Sequence, residues 1–118
     1  MTPEFVAHFA VEWVAAWNSH DLTRILQHYT DDFEMSSPKI IEIADEASGT
    51  LTGKPAVSAY WARAIERIPD LHFELIASLC GVNTAVLYYR GAGGRLAAEV
   101  FFFNAEGKVY KACANYED

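Results

Sequence analysis

The sequence predicts an α+β fold: three N-terminal helices packed on a strongly curved, mainly antiparallel sheet, forming a cone with an internal pocket. Two observations carry this expectation. Apolar residues recur at the helical interval before Pro69, and alternate one by one after it. The strands defined by that alternation are apolar on both faces, so both sides of the sheet need cover.

The first helix is expected over residues 4–18, where Phe5, Val6, Phe9, Ala10, Trp13, Val14 and Trp17 form one stripe. Asn18-Ser19-His20 breaks it, and Asp21 is a good N-cap for a second helix carrying Leu22, Ile25, Leu26 and Tyr29. A third begins at Pro55, in a first turn where a missing N–H is harmless, and ends at Pro69. Strands are expected near 32–37, 71–80, 84–91, 95–104 and 108–116. Asn83, Gly91-Ala92-Gly93-Gly94 and Asn104-Ala105-Glu106-Gly107 supply the turns of a meander. Residues 38–53 carry little periodic signal; Ile40-Ile41-Glu42-Ile43 reads as a short strand. No repeat or linker divides residues 1–118, which are expected to form a single domain.

Composition narrows the function. With 52% hydrophobic and 14% aromatic residues, the chain can build a core. The formal net charge is −7, and the basic residues are scattered, which argues against a nucleic-acid partner or an anionic membrane surface. No leader-like opening or membrane-length apolar run stands out, and Cys80 and Cys113 read as buried reduced thiols, so a cytoplasmic location is expected. No Gly-rich phosphate loop, nucleophile elbow or metal-ligand spacing is present, and neither a cofactor nor a metal is expected. His8 and Glu12, four apart on a polar helix face, read as a solvated pair. His20 and His28 read as loop and surface groups, and His72 as a packed or half-exposed strand residue.

Four segments in order resemble the SnoaL-like, nuclear transport factor 2-like superfamily, whose cone fold includes ketosteroid isomerase. They are Glu12 through Leu22, with its helix break before Asp21-Leu22; Tyr29-Thr30-Asp31-Asp32-Phe33; Gly53-Lys54-Pro55-Ala56-Val57; and Glu99 through Val109. The resemblance implies the fold rather than a reaction, because one fold hosts isomerases, cyclases, dehydratases, hydrolases and non-enzymes. Ketosteroid isomerase uses an Asp base with a Tyr and a protonated Asp as oxyanion donors. Matching the segments puts Glu99 at the protonated-Asp position, Trp13 at the Tyr position and Ser37 at the base position. One of three groups is chemically retained, since a serine cannot abstract a carbon-bound proton unaided and an indole N–H only donates.

Glu99 is the sharpest candidate: the one charge between Leu96 and Phe103, on the face of Ala97, Phe101 and Phe103. A buried carboxylate is costly, so it is expected to be paired or to hold its proton. Asp32 is the reserve base, though a turn or cap role suits it better. Trp13, Tyr29, Tyr60, Trp61, Tyr89 and Tyr116 are aromatic groups with polar handles. Trp13, Tyr29, Ser37, Trp61, Phe101, Ala112 and Tyr116 are the expected ligand-binding set. Tyr110, Ala112, Ala114 and Tyr116 should share a face, with the alanines leaving room for a small apolar molecule unless the tryptophans fill it. Two functions remain open: a cofactor-free acid/base enzyme of isomerase, cyclase or dehydratase type using Glu99, or a non-catalytic binding or interaction module. The opposite sheet face, with Val100, Phe102, Lys111 and Cys113, is expected to be covered by a second copy in a homodimer.

Overall fold

The computed structural model describes residues 1–117. In chain order it contains α1 (Pro3–Ser19), α2 (Leu22–Leu26), β1 (Tyr29–Ser36), α3 (Pro38–Ile43), β2 (Thr50–Thr52), α4 (Lys54–Arg67), β3 (Glu74–Cys80), β4 (Thr84–Arg90), β5 (Leu96–Phe103) and β6 (Val109–Tyr116). The six strands form one curved, unclosed sheet in the order β2-β1-β6-β5-β4-β3. Among the described residues only the β1–β6 pair is parallel. The helices bury their apolar stripes against the inner face, as the alternation on β5 requires.

Local chemistry explains the start of the chain. The Thr2 hydroxyl accepts from the Phe5 N–H, and Pro3 occupies the first turn, so α1 begins where two orphan donors are dealt with. Val6, Phe9, Ala10, Trp13 and Trp17 then face the core. The helix ends at His20, whose left-handed backbone (φ 60°) turns the chain into α2. Asn18 acts as a clamp at this break: its amide donates to the Phe73 carbonyl, and its oxygen accepts from the Phe73 N–H at 2.7 Å. The His20 ring bonds the Leu71 carbonyl at 2.7 Å. The small polar loop therefore fixes the segment that delivers Leu71 and Phe73 to the interior.

Three expectations need correction. Ile40-Ile41-Glu42-Ile43 lies in helix α3, not a strand. Ser37 caps it by accepting from the Lys39 N–H, and Pro38 fills the first turn, so capping overrides the β-propensity of three isoleucines. Tyr29 opens β1 instead of closing the second helix, which stops at Leu26, and β1 spans 29–36 instead of 32–37. Tyr110 does not share a face with Ala112: it is 45% exposed, while Val109 and Ala112 are both buried. The cause is a bulge. Phe102 pairs with Lys111 and Phe103 with Val109, leaving Tyr110 as the extra residue and shifting the alternation by one.

The final hairpin forms as its turn residues demand. Asn104 Oδ1 accepts from the Glu106 and Lys108 N–H groups, and Gly107 takes φ 79°. The expected faces of β5 hold: Ala97, Glu99, Phe101 and Phe103 are buried, while Leu96, Ala98, Val100 and Phe102 are half-buried on the outside.

Candidate functional site

The interior divides along α1 and β5. At one end Phe9 sits edge-on to Phe101 and Phe103, with ring centroids 5.1 and 5.0 Å away. At the other, aromatic groups with polar atoms surround a cavity of about 60 Å³. It lies between α1, α3, α4, the Gly91-Ala92 turn and the inner sheet face; Trp13, Trp17, Tyr60, Trp61, Phe73, Tyr89 and Tyr116 wall it, and Lys39 and Glu99 border it. That space takes a few water molecules, well short of the several hundred Å³ of a drug-sized ligand site. A ring could enter only if wall side chains rotate.

Glu99 is 4% exposed, one of two buried polar or charged residues among those described. The Tyr89 hydroxyl donates to its Oε1 at 3.0 Å. Burial pushes the Glu99 carboxyl up to about 7, and the Tyr89 bond pulls the other way without compensating. Near neutral pH it therefore exists in both forms, which a proton-transfer group needs. Burial, followed by the Glu99 charge, drives Tyr89 and Tyr29 well above the ordinary phenol value. Burial also raises Tyr60, to about 12, and Tyr116, while the Ser37 hydroxyl partly offsets the shift at both. All four phenols are neutral hydrogen-bond donors in the physiological range.

The family model of the SnoaL-like domain matches residues 10–114. The chain belongs to the SnoaL-like family. A SnoaL-like protein of unknown function from Burkholderia thailandensis is 56% identical, with 99% of this chain and 98% of that one covered and a TM-score of 0.95. More distant structures share the fold. A candidate isomerase of the SnoaL-like family from Agrobacterium tumefaciens is 18% identical over 98% of this chain and 99% of its own, with a TM-score of 0.77. AclR, a candidate hydroxylase from Streptomyces galilaeus, is 17% identical over 98% of this chain and 91% of its own, with a TM-score of 0.73. No curated protein matches.

Within this SnoaL-like chain the expected residues separate into two groups. Glu99, Trp13, Trp61 and Tyr116 border the cavity together. Tyr29, Phe101 and Ala112 are buried beside it without lining it. Trp13 is committed: its Nε1–H donates to the Tyr29 hydroxyl at 2.9 Å, so it is not a free oxyanion donor. Ser37 is buried, and its hydroxyl serves as the α3 cap. Asp32 is solvent-exposed on β1 and away from the cavity, so the reserve base does not meet Glu99's site. The space expected over Ala112 and Ala114 belongs to the packed core, where Ala112 lies opposite Met35 and Phe101 in register.

The histidines lie elsewhere. His72 is exposed, and Glu12 is held by the Arg24 guanidinium (2.8 and 3.0 Å), close to His28. His28 is half-buried with its ring edge-on to Phe9, more enclosed than a surface group. Among the described residues no cluster of three potential metal ligands occurs, and no helix is long and apolar enough to cross a membrane. Cys80 is exposed and Cys113 half-buried, so the thiols are free but not enclosed.

Tyr89 and Lys39 are among the cavity residues that were missed as site members. Tyr89 is found by pairing the β4–β5 hairpin: it faces Ala97, two residues from Glu99 on the same side. Lys39 depends on a helix that periodicity does not reveal and that only its Ser37-Pro38 start could have marked.

Proposed function

We propose that this protein is a cofactor-free acid/base enzyme in which Glu99 moves a proton on a small conjugated carbonyl compound. The observation that carries the reading is a buried carboxyl near pKa 7, hydrogen-bonded by Tyr89 and bordering an aromatic-walled cavity. As the carboxylate, Glu99 takes a proton from the carbon next to a carbonyl. The C–H electron pair moves into the new double bond, and the carbonyl π pair moves to oxygen. Neutral Tyr60 or Tyr116 donates a hydrogen bond to that oxygen. Return of the proton to a different carbon completes an isomerisation with no external reactant. Trp13 takes no direct part.

The non-catalytic alternative keeps one specific support, the small size of the cavity. Deuterium exchange separates the two. With cyclohexanone in D₂O, wild type is expected to speed loss of the α-proton NMR signal, with a rate rising as pH passes through about 7. Glu99→Gln should reduce the rate to background. Equal rates for both proteins would remove the catalytic reading.

We further infer that a second copy covers the outer sheet face. On neighbouring strands Val100 lies opposite Cys113, and Phe102 opposite Lys111, all half-buried rather than enclosed, so an apolar strip of both strands lacks a cover within the chain. Light scattering at micromolar concentration should give twice the chain mass, and Val100→Glu should halve it. A wild-type monomer would remove this inference.

A further inference from the structure

Two opposite charges border the cavity without meeting. Burial and the Tyr89 hydrogen bond account for the state of Glu99, with no cation contributing. Lys39 stands on the same cavity with its ammonium 4.6 Å from the Tyr116 ring centroid, and no carboxylate among the described residues lies within ion-pair distance of it. From these positions, and resting on the Glu99 reading above, we propose that the cavity selects a flat conjugated acid. Its anionic group sits against Lys39, and its carbonyl end reaches toward Glu99.

Two observations point to a negatively charged, oxygen-bearing group. Burial is the main influence on Lys39 and favours its neutral form; the positive charge of exposed Arg95 adds to this, and Glu42 only partly offsets it. A half-buried ammonium with another cation near it gains from an incoming carboxylate, which adds to the partial offset from Glu42. Independently, the Trp17 Nε1–H is buried without any acceptor, on a residue 6% exposed that borders the same cavity. A buried donor without an acceptor is costly, and a ligand oxygen would recover that cost. Flatness follows from the walls: Trp61, Phe73 and Tyr116 present rings, which favour a stacked or edge-on planar guest.

Benzoate and benzamide test this directly, since they match in size and shape and differ in charge. Trp13, Trp17 and Trp61 all border the cavity, so intrinsic fluorescence reports occupancy. Wild type is expected to bind benzoate about ten-fold more tightly than benzamide, the scale of one partly desolvated charge contact. Lys39→Met, which keeps an unbranched apolar stem, should abolish that preference, and Lys39→Arg should retain it. Equal affinity in wild type, a preference surviving Lys39→Met, or no binding of either compound at millimolar concentration would overturn the proposal. Cyclohexanone carries no anionic group for Lys39 to meet, so its exchange tests Glu99 and not the charge preference. Exchange that depends on Glu99 without a benzoate preference sinks only the Lys39 assignment. A benzoate preference without exchange sinks only the catalytic one.

Discussion

Phe101 and Glu99 are neighbours on the same face of β5, yet they occupy two different interiors. Phe101 is fully buried among Phe9 and Trp13, with ring centroids 5.1 and 5.3 Å away, and its surroundings contribute little but carbon. One pleat along, Glu99 faces Tyr89 and a cavity bordered by three tryptophans, each carrying an N–H. Phe101 does not line the cavity, and its aromatic contacts are ring on ring. The second interior gives up packing density and solvation for a titratable group shielded from bulk solvent. A single strand delivers both because its alternation sets only which residues point inward, while α1 and the helices beyond it decide what meets them.

The largest effect is expected in the closed region. Phe101→Ala removes a ring from a site with no room to collapse, and should cost about 3–5 kcal/mol in denaturant unfolding. A loss below about 1 kcal/mol would mean that this end is as loosely filled as the other, and the contrast would fail.

Glu99→Gln comes next, and its effect depends on pH. The folded carboxyl is pushed up from the ordinary 4.5 to about 7, so the folded state holds the proton more tightly than the unfolded chain. The stability this contributes is fully present below about pH 4.5 and is lost as pH rises through about 7. Across that window wild type should lose about 3 kcal/mol from this group, the free-energy equivalent of the shift. The glutamine has no proton to lose, so the variant's stability relative to wild type should climb between pH 4.5 and 8. A difference independent of pH would show that Glu99 holds its proton no more tightly in the folded state than in the unfolded chain, and the contrast between the two regions would fail.

How much of this contrast could be read in the sequence depends on which residues carry it. The packed region was legible, because Phe9, Phe101 and Phe103 repeat at helix and strand spacing and apolar burial needs nothing more. Glu99 was legible as an isolated charge on an apolar strand. Its partner Tyr89 was within reach, since pairing across Gly91–Gly94 puts them on one face. The mouth was not. Lys39 depends on α3, where three β-branched residues resemble a strand; the overlooked signal was Ser37-Pro38, the same cap-and-proline pattern as Thr2-Pro3 at α1. The Tyr110 bulge was also invisible, because one extra residue in a strand leaves no compositional trace.

The smallest effect, and the one that isolates the pair itself, is expected for Tyr89→Phe. The phenol donates to Glu99 Oε1 at 3.0 Å and is the one influence that lowers the carboxyl against burial. Removing the hydroxyl leaves the desolvation and deletes its opponent, so the Glu99 titration should move further up from about 7. The stability cost should follow protonation. Below the folded value the lost bond joins two neutral groups and is worth about 1 kcal/mol; above it, the carboxylate is the acceptor and the loss should approach about 2 kcal/mol. Carbon-13 NMR of the Glu99 carboxyl, measured across the titration in both proteins, reads the shift directly. An unchanged or lower value in the variant would mean that Tyr89 does not hold the ionised form, and that the poise of Glu99 near neutrality comes from burial alone.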